Sequence, residues 1–299
     1  GHPHHHTAAG AHRGRLLLVL ALTLSVMAFQ VVGGLAAGSL ALLGDAGHMA
    51  VDAFGILVAL FAIWIANQPS TDERTFGLKR AEILAAALNA LLLFALCGFI
   101  GYEAVRRLLD PQPVSASTMV VFSTVGLLAN LIALGLLRRG QAESLNLRGA
   151  YLEVLGDLLS SAGVVVTALI IWLTGWHWAD SVVSIAIALF IAPRAWHLLN
   201  EALRILLEAT PRGLDLSEVR RHLQTHPNVV DVHDLHAWTI TSGMPVLSAH
   251  VVVEDSALAD SGRLLARLHD CLSTHFSIDH STIQVEPVGH AHHENACRA

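Results

Sequence analysis

The stretch LLGDAGHMAVDAFGILVALF, residues 42–61, decides the fold because it is an apolar segment of membrane length that also carries charge. About 20 helical residues cross a hydrocarbon core of roughly 30 Å, and a helix satisfies all of its backbone polar groups there. Asp45, His48 and Asp52 interrupt the apolar run. An ionised acid at the middle of a span costs about 2.5–3.5 kcal/mol on insertion scales, so these residues indicate a functional site.

The composition of the whole chain agrees with a membrane protein that carries a soluble part. Of its 299 residues, 54% are hydrophobic and 14% are charged, whereas soluble domains usually carry about 25% charged residues. The formal net charge of −6 argues against a nucleic-acid partner. Cys97, Cys271 and Cys297 are too few and too scattered for a disulfide framework or a cysteine zinc finger.

Six apolar segments are long enough to cross the lipid bilayer, and we predict spans at 15–37, 41–66, 81–103, 115–137, 147–173 and 178–199. The basic residues between spans lie mainly on one side, in the N-terminal tail and in the links after spans two and four. The opposite side has only Arg106 and Arg107. The positive-inside rule therefore places both termini in the cytosol, and no cleavable signal peptide is expected.

Span five carries a second charged pair that matches the first. Glu153 and Asp157 are four residues apart, as are His48 and Asp52, and residues at this spacing share one helix face. No Lys or Arg is expected deep enough in any span to pair with the acids, so salt bridges are excluded as their compensation. If the two faces meet, one imidazole and three carboxylates make a tetrahedral shell of the kind that Zn²⁺ takes. Apparent binding free energies of about 10–16 kcal/mol for structural zinc are large enough to offset the buried acids.

Several polar residues of the spans keep two interpretations open. Asp45 is either a further ligand or the N-cap of a helix that starts near the outer surface. Gln30, Asn89 and Asn130 either join helices by hydrogen bonds, which we favour, or support the ligands. A lone histidine in a span is more often a packed residue than a ligand, but two i,i+4 pairs on separate spans favour a metal site.

Beyond residue 199 the pattern changes to that of a small soluble domain. Amphipathic helices are predicted at 217–224 and 261–274, and strands at 229–240, 245–253 and 280–286. The order helix–strand–strand–helix–strand predicts a cytosolic α+β, ferredoxin-like domain with the helices on one face of the sheet. The domain organisation follows as a His-rich tail (1–14), a six-helix transmembrane domain (15–199), the cytosolic domain (200–288) and a His-containing tail (289–299).

Histidines at strand positions suggest further metal ligands in this domain. His233, His236, His250 and His280, together with Glu286, are predicted to form one or two sites, although any single one of these histidines can be a solvated surface residue. Side chains of a regular strand alternate between its faces. His233 and His236 are therefore not expected to share an ion.

The other histidines are interpreted separately. Those in or next to the predicted cytosolic helices are assigned to the surface: His222, His226, His269 and His275. The cluster at residues 4–6 is either the remnant of an expression tag or a native tail that collects metal.

Taken together, HMAVD in span two, the acid pair in span five, and VHDLHAW, SAHV and HSTIQVEP in the tail resemble the cation diffusion facilitator family of metal–proton antiporters. The resemblance runs from about residue 15 to 287. It implies a homodimer that pairs through its cytosolic domains, with alternating access to one site per protomer. The implied transport ligands are His48, Asp52 and Asp157, with Glu153 in the fourth position, and the implied cytosolic ligands are His233, His250, His280 and Glu286.

Two departures from the family pattern matter. Zinc-transporting members commonly have histidine where this chain has Glu153, so a harder ligand set widens the expected range toward Co²⁺ or Cd²⁺. The link between spans two and three lacks a histidine, so the metal site that some members have there is not expected. Arg80 and Glu208 lie where the family can have a charge interlock.

The sequence thus predicts a secondary active transporter that exports Zn²⁺, and also Cd²⁺ or Co²⁺, in exchange for protons, because ligands must lose protons to bind metal. The cytosolic sites are expected to sense the metal. An intramembrane zinc-dependent hydrolase is disfavoured because the spans lack H-E-x-x-H and any nucleophile motif. A passive metal channel is disfavoured because channels use rings of ligands or wide polar pores.

Overall fold

The computed structural model describes residues 6–138 and 145–290. Six long helices come first: α1 (His6–Ala37), α2 (Leu40–Ala66), α3 (Ala81–Leu109), α4 (Ala116–Arg138), α5 (Leu145–Thr174) and α6 (Trp178–Leu206). Each of them contains an apolar segment long enough to cross a bilayer. The six predicted spans are confirmed, and α3 and α6 continue beyond the predicted ends at 103 and 199. The histidines at 2, 4 and 5 and the C-terminal tail beyond His290 lie outside the described residues.

An α+β part follows: α7 (Leu216–Gln224), β1 (Val229–Thr239), β2 (Pro245–Val253), α8 (Asp255–Leu258), α9 (Ser261–Phe276) and β3 (His280–Pro287). The sheet order is β1-β2-β3, with β1 antiparallel and β3 parallel to β2. The predicted order of elements is confirmed, with the short α8 added. Because α9 crosses over between two parallel strands, it packs with α7 on one face of the sheet. Their shared core contains Val219, Leu223, Leu264 and Leu268 from the helices and Val232 and Val251 from the strands.

The described residues form two compact units. One contains residues 6–58, 88–138 and 145–198, and the other contains residues 59–87 and 199–290. The membrane histidine and the acid pairs belong to the first unit, and the α+β part belongs to the second. The four domain limits given above stay a prediction.

Within the second unit, the link between α2 and α3 and the start of α3 contact the α+β part. The Arg80 guanidinium donates to Glu208 at 2.9 Å, so the expected interlock is an ion pair. Arg80 is half-buried and Glu208 is exposed, and solvent-accessible pairs contribute about 0–1 kcal/mol. Nearby, the Thr241 hydroxyl donates to Glu82 on α3 at 2.6 Å, which fixes the tip of the β1–β2 hairpin.

The start of α2 is capped by a residue of α6. Asp180 is buried, and it accepts hydrogen bonds from the Ser39 hydroxyl at 2.6 Å and from the N–H groups of Leu40 and Ala41 at 2.7 and 3.3 Å. The first N–H groups of a helix have no partner within the helix, so a buried helix end needs such an acceptor. The N-cap role considered for Asp45 is therefore wrong, because α2 begins at Leu40 and Asp180 supplies the acceptor.

We expect Asp180→Ala to destabilise the protein by about 2 kcal/mol, because it removes a cap and leaves buried N–H groups unsatisfied. Unfolding by sodium dodecyl sulfate in detergent micelles, followed by tryptophan fluorescence, measures the change. Asp110→Ala in the exposed link after α3 is the control. A loss of stability in Asp180→Ala no larger than that of the control would contradict the capping role.

Candidate metal centres

Helices α2 and α5 meet at a histidine and an acid. The His48 Nε2 atom lies 3.0 Å from Asp157 Oδ1, and both side chains are buried. Two ligands of one tetrahedral Zn²⁺ lie about 3.4 Å apart, given metal–ligand distances of about 2.0–2.2 Å. The other ring nitrogen, Nδ1, lies 3.4 Å from the carbonyl oxygen of Gly44 on the same helix. When Nδ1 carries the proton and donates to this oxygen, the Nε2 lone pair is available to a metal ion.

Asp52 and Glu153 face a cation that the sequence analysis missed. On α6, Arg194 places Nη1 3.6 Å from Asp52 Oδ2, and its Nη2 donates to Glu153 Oε1 at 3.1 Å. The expectation that no Lys or Arg pairs with the membrane acids is therefore wrong. The physical reason is reach, because an arginine side chain extends its charge far from its own backbone.

Two cavities adjoin these side chains. The first has a volume of about 120 Å³ and is lined by His48, Asp52, Asp157 and Arg194, among others. The second, of about 220 Å³, is lined by Asp52, Glu153 and Asp157 together with apolar residues of α1, α2 and α5. The four predicted ligands line these two cavities between α2 and α5, but no three of these four described side chains bring their ligand atoms within 4.8 Å of one another. His48 contacts Asp157, while Arg194 joins Asp52 to Glu153, so the four ligands are held as two pairs.

Asp45 belongs to a hydrogen-bond network. Its Oδ2 atom accepts from Gln30 at 2.8 Å and from the Ser161 hydroxyl at 2.9 Å, and Asn130 donates to Ser161 at 3.1 Å. The network joins α1, α2, α4 and α5. Gly126 leaves room for the Gln30 amide, which a Cβ atom at that position would overlap. The favoured interpretation of Gln30 and Asn130 as interhelical hydrogen-bonding residues is confirmed.

A second candidate centre lies on the face of the sheet opposite α7 and α9. The β1–β2 register pairs His233 with His250. Glu286 is buried between the two imidazoles, with Oε2 3.1 Å from His233 Nε2 and Oε1 2.8 Å from His250 Nδ1. Among the described residues, these three form the group of possible metal ligands whose ligand atoms all lie within 4.8 Å of one another. Two imidazoles and one carboxylate suit Zn²⁺ and leave a fourth position open.

The structure separates His280 and His236 from this group. His280 pairs with Val246, whereas the register partner of His250 is Gln284, so His280 lies about 13 Å further along β3. Its ring instead contacts Phe76, with centroids 5.6 Å apart. The predicted inclusion of His280 in the same site is therefore corrected by the strand register.

His236 and His250 both approach Asp234. The Nε2 atom of His236 lies 3.0 Å from Asp234 Oδ1, and the Nε2 atom of His250 lies 3.8 Å from Asp234 Oδ2. The premise of a regular strand is wrong here, because β1 has a register shift between His233 and His236, and Asp234 has a φ of 47°. His236 lies outside the group around Glu286, and the expectation that His233 and His236 do not share an ion stays a prediction.

The histidines assigned to the surface are exposed or half-buried. His269 and His275 are exposed, and His222 and His226 are half-buried. Burial, together with the nearby Arg267, holds the pKa of His226 below its usual range, which favours the neutral form at pH 7.

Two family models match the chain. The model described as "Cation efflux transmembrane domain" covers residues 16–207, and the model described as "Cation efflux protein, cytoplasmic domain" covers residues 211–288. Together they span the six helices and the α+β part.

Similar proteins extend over nearly the whole chain. The "Cation efflux system protein CzcD" of Alcaligenes sp. (strain CT14) is 46% identical over 286 residues, covering 96% of this chain and 90% of that protein. The "Zinc transporter ZitB" of Escherichia coli (strain K12) is 40% identical over 291 residues, covering 95% and 92%. The "Cadmium, cobalt and zinc/H(+)-K(+) antiporter" of Bacillus subtilis (strain 168) is 37% identical over 299 residues, covering 99% and 94%.

We expect Zn²⁺ to bind the group around Glu286, and Glu286→Gln to weaken this binding by about 100-fold or more. Mutation of residues that only support a metal ligand already lowers metal affinity by about 10–100-fold, and loss of a ligand should cost more. Isothermal titration of the full chain in detergent, carrying Asp157→Asn to remove the membrane site, measures the affinity. Glu254→Gln, at an exposed position after β2, is the matched control. Equal affinities for the two glutamine variants would show that Glu286 is not a ligand.

Proposed function

The chain belongs to the cation diffusion facilitator family, and we propose that it exports Zn²⁺, and also Cd²⁺ or Co²⁺, from the cytosol in exchange for protons. It is a metal cation efflux transporter of the multi-pass membrane class and not an enzyme, as the matched family models and the named relatives are metal transporters. The metal, the coupling ion and the residues that bind them are the proposed part.

The observation that carries the proposal is the contact between His48 and Asp157. The contact joins α2 to α5, which are far apart in the sequence. His48 Nε2 and Asp157 Oδ1 lie 3.0 Å apart within the membrane part. Asp52, Glu153 and Asp157 line a cavity beside this contact. On metal binding, one imidazole and three carboxylates would close around a single divalent ion as a four-ligand shell.

The metal range follows from this ligand set and from the relatives. Imidazole favours Zn²⁺ and Co²⁺, and three carboxylates make the site harder than a histidine-rich one, so selectivity rests on geometry more than on ligand type. The names of similar proteins mention zinc, cadmium and cobalt. We therefore place Zn²⁺ first and Cd²⁺ and Co²⁺ beside it.

Proton exchange follows from the chemistry of the ligands. A metal ion that enters from the cytosol binds Nε2 of His48 and the carboxylates only in their deprotonated forms, so protons leave the site. On the opposite side, protons return to the same atoms and the metal departs. An imidazole suits this cycle because it exchanges its proton near neutral pH.

The rest of the proposed assembly is a homodimer in the bacterial inner membrane with both termini in the cytosol. Basic residues in the links on one side of the membrane support this orientation. The matched cytoplasmic-domain model supports pairing through the α+β part. The group around Glu286 would bind metal there and report its concentration, because a ligand that favours one conformation shifts the affinity of a distant site.

We expect Asp157→Ala to abolish Zn²⁺-driven proton movement, because the site loses the ligand that links α5 to His48. Purified protein in liposomes with an internal pH dye, and with a pH gradient imposed across the bilayer, measures proton flux and metal uptake for Zn²⁺, Cd²⁺, Co²⁺ and Mn²⁺. Asp110→Ala is the control for loss of an exposed acid.

Two outcomes would contradict the proposal. Flux at the wild-type rate in Asp157→Ala would refute the assignment of the site. Movement of metal only down its own gradient, unaffected by the pH gradient, would make the protein a passive channel.

We expect His48→Asp to extend metal transport to lower pH, because an aspartate with an ordinary pKa of about 3.9 stays deprotonated where imidazole, with an ordinary pKa of about 6.5, is protonated. The same flux measurement across pH 5–8 tests this, with His197→Asp on α6 as the matched control. A pH profile identical to that of the unchanged protein would count against His48 as a proton-exchanging ligand.

A further inference from the structure

We propose that Arg194 acts as a built-in counter-cation of the transport site. Its guanidinium pairs with the carboxylates of Asp52 and Glu153 while no metal is bound, and an incoming metal ion has to displace it. This inference rests on the proposed function, because it concerns the same four ligands. It assigns a role to a residue on α6, outside both ligand-bearing helices.

The geometry places one guanidinium between acids of two different helices. Arg194 Nη2 donates to Glu153 on α5 at 3.1 Å, and Nη1 lies 3.6 Å from Asp52 on α2. A planar guanidinium presents its donors as a fork, which suits two carboxylates better than an ammonium does. One side chain therefore compensates two of the three acids of the site.

The charge balance explains why such a group is needed. Acids within a membrane part are costly unless they are paired, and in this site His48 contacts Asp157 alone among the three acids. Protons can neutralise the others only in part of the pH range, whereas a guanidinium stays charged at every physiological pH. Arg194 thus keeps the unloaded site tolerable without any bound ion.

The same contacts make Arg194 a competitor of the cargo. It lines the cavity of about 120 Å³ next to His48, Asp52 and Asp157, where a divalent ion would repel it. The Arg194 side chain is 56% exposed, so neighbouring helices do not enclose it and its guanidinium can rotate away from the two acids. Metal binding then exchanges one cation for another, which lowers the apparent affinity and eases release.

A purely structural role of Arg194 predicts the opposite change in metal affinity when the residue is replaced. If Arg194 only supported the helices, its loss would loosen the site and weaken metal binding. If it competes with the metal, its loss strengthens binding. The sign of the change in Kd therefore separates the two roles.

The test measures the Kd for Zn²⁺ by isothermal titration of the full chain in detergent, in a Glu286→Gln background so that only the membrane site is titrated. For Arg194→Gln we expect the Kd to fall by about 3- to 10-fold, as the loss of two partly exposed ion pairs implies. Arg194→Met, which also removes the charge but retains much of the side-chain length, should give the same result if the glutamine variant does not fold. Arg194→Lys, which keeps a positive charge, should stay within about twofold of the unchanged protein.

The matched control is Arg106→Gln, because Arg106 is a similarly exposed arginine paired with Glu103 on α3. Its Kd should not change. An unchanged or raised Kd in the charge-removing variants of Arg194 would overturn the counter-cation role. Asp157→Asn separates this failure from a failure of the site itself: if Asp157→Asn binds Zn²⁺ as tightly as the unchanged protein, the proposed site is wrong, whereas loss of binding there leaves only the role of Arg194 in question.

Discussion

Acidic side chains placed among apolar helices need compensation, and this constraint shapes the membrane part of the protein. Asp45 is compensated by Gln30 and Ser161, and Asp180 by the N–H groups at the start of α2. Asp157 contacts an imidazole, while Asp52 and Glu153 share a guanidinium. Each acid thereby fixes a contact between helices that apolar packing alone would leave less specific, because lipid tails compete equally well for apolar surfaces.

The two kinds of compensation separate structure from function. Asp45 and Asp180 accept hydrogen bonds from neutral donors, which a metal ion cannot replace without leaving those donors unsatisfied. Asp180 also lies 4.0 Å from the Arg107 guanidinium, and its hydrogen bonds to the start of α2 remain its main contacts. The acids near His48 instead contact groups that a metal ion can replace, since an imidazole binds a proton or a metal and a guanidinium can withdraw. The acids whose partners a metal ion can replace therefore indicate the candidate site better than the acids alone do.

Local features of the sequence predicted much of this arrangement. Span lengths follow from hydropathy, and the i,i+4 spacing of His48 with Asp52 and of Glu153 with Asp157 depends on a single helix each. The features that sequence reasoning missed depend on contacts between distant segments. Asp180 caps a helix that begins at Leu40, and no spacing rule connects residues so far apart.

Arg194 and His280 show the same limit of sequence-based prediction: one was missed as a partner of the acids, and the other was wrongly included as a ligand. Arg194 lies on a span that showed no ligand pair, and only the packing of α6 against α2 and α5 brings its charge to the acids. His280 carries the right chemistry, but the parallel register of β2 and β3 aligns Gln284 with His250. In both cases the residue type was visible in the sequence, and its partner was set by tertiary structure.

The two candidate centres differ in ways that suit the tasks proposed for them. The cytosolic group has two imidazoles and one buried carboxylate on a hydrogen-bonded sheet, where backbone register holds the ligands at fixed distances. The membrane group has one imidazole and three carboxylates on separate helices, which can shift against one another. A transported ion has to be released in every cycle, so an oxygen-rich site on movable helices, with the guanidinium of Arg194 beside it, suits the proposed transport. A sensor has to hold its ion until the concentration falls, and a nitrogen-rich site on a fixed sheet suits that task.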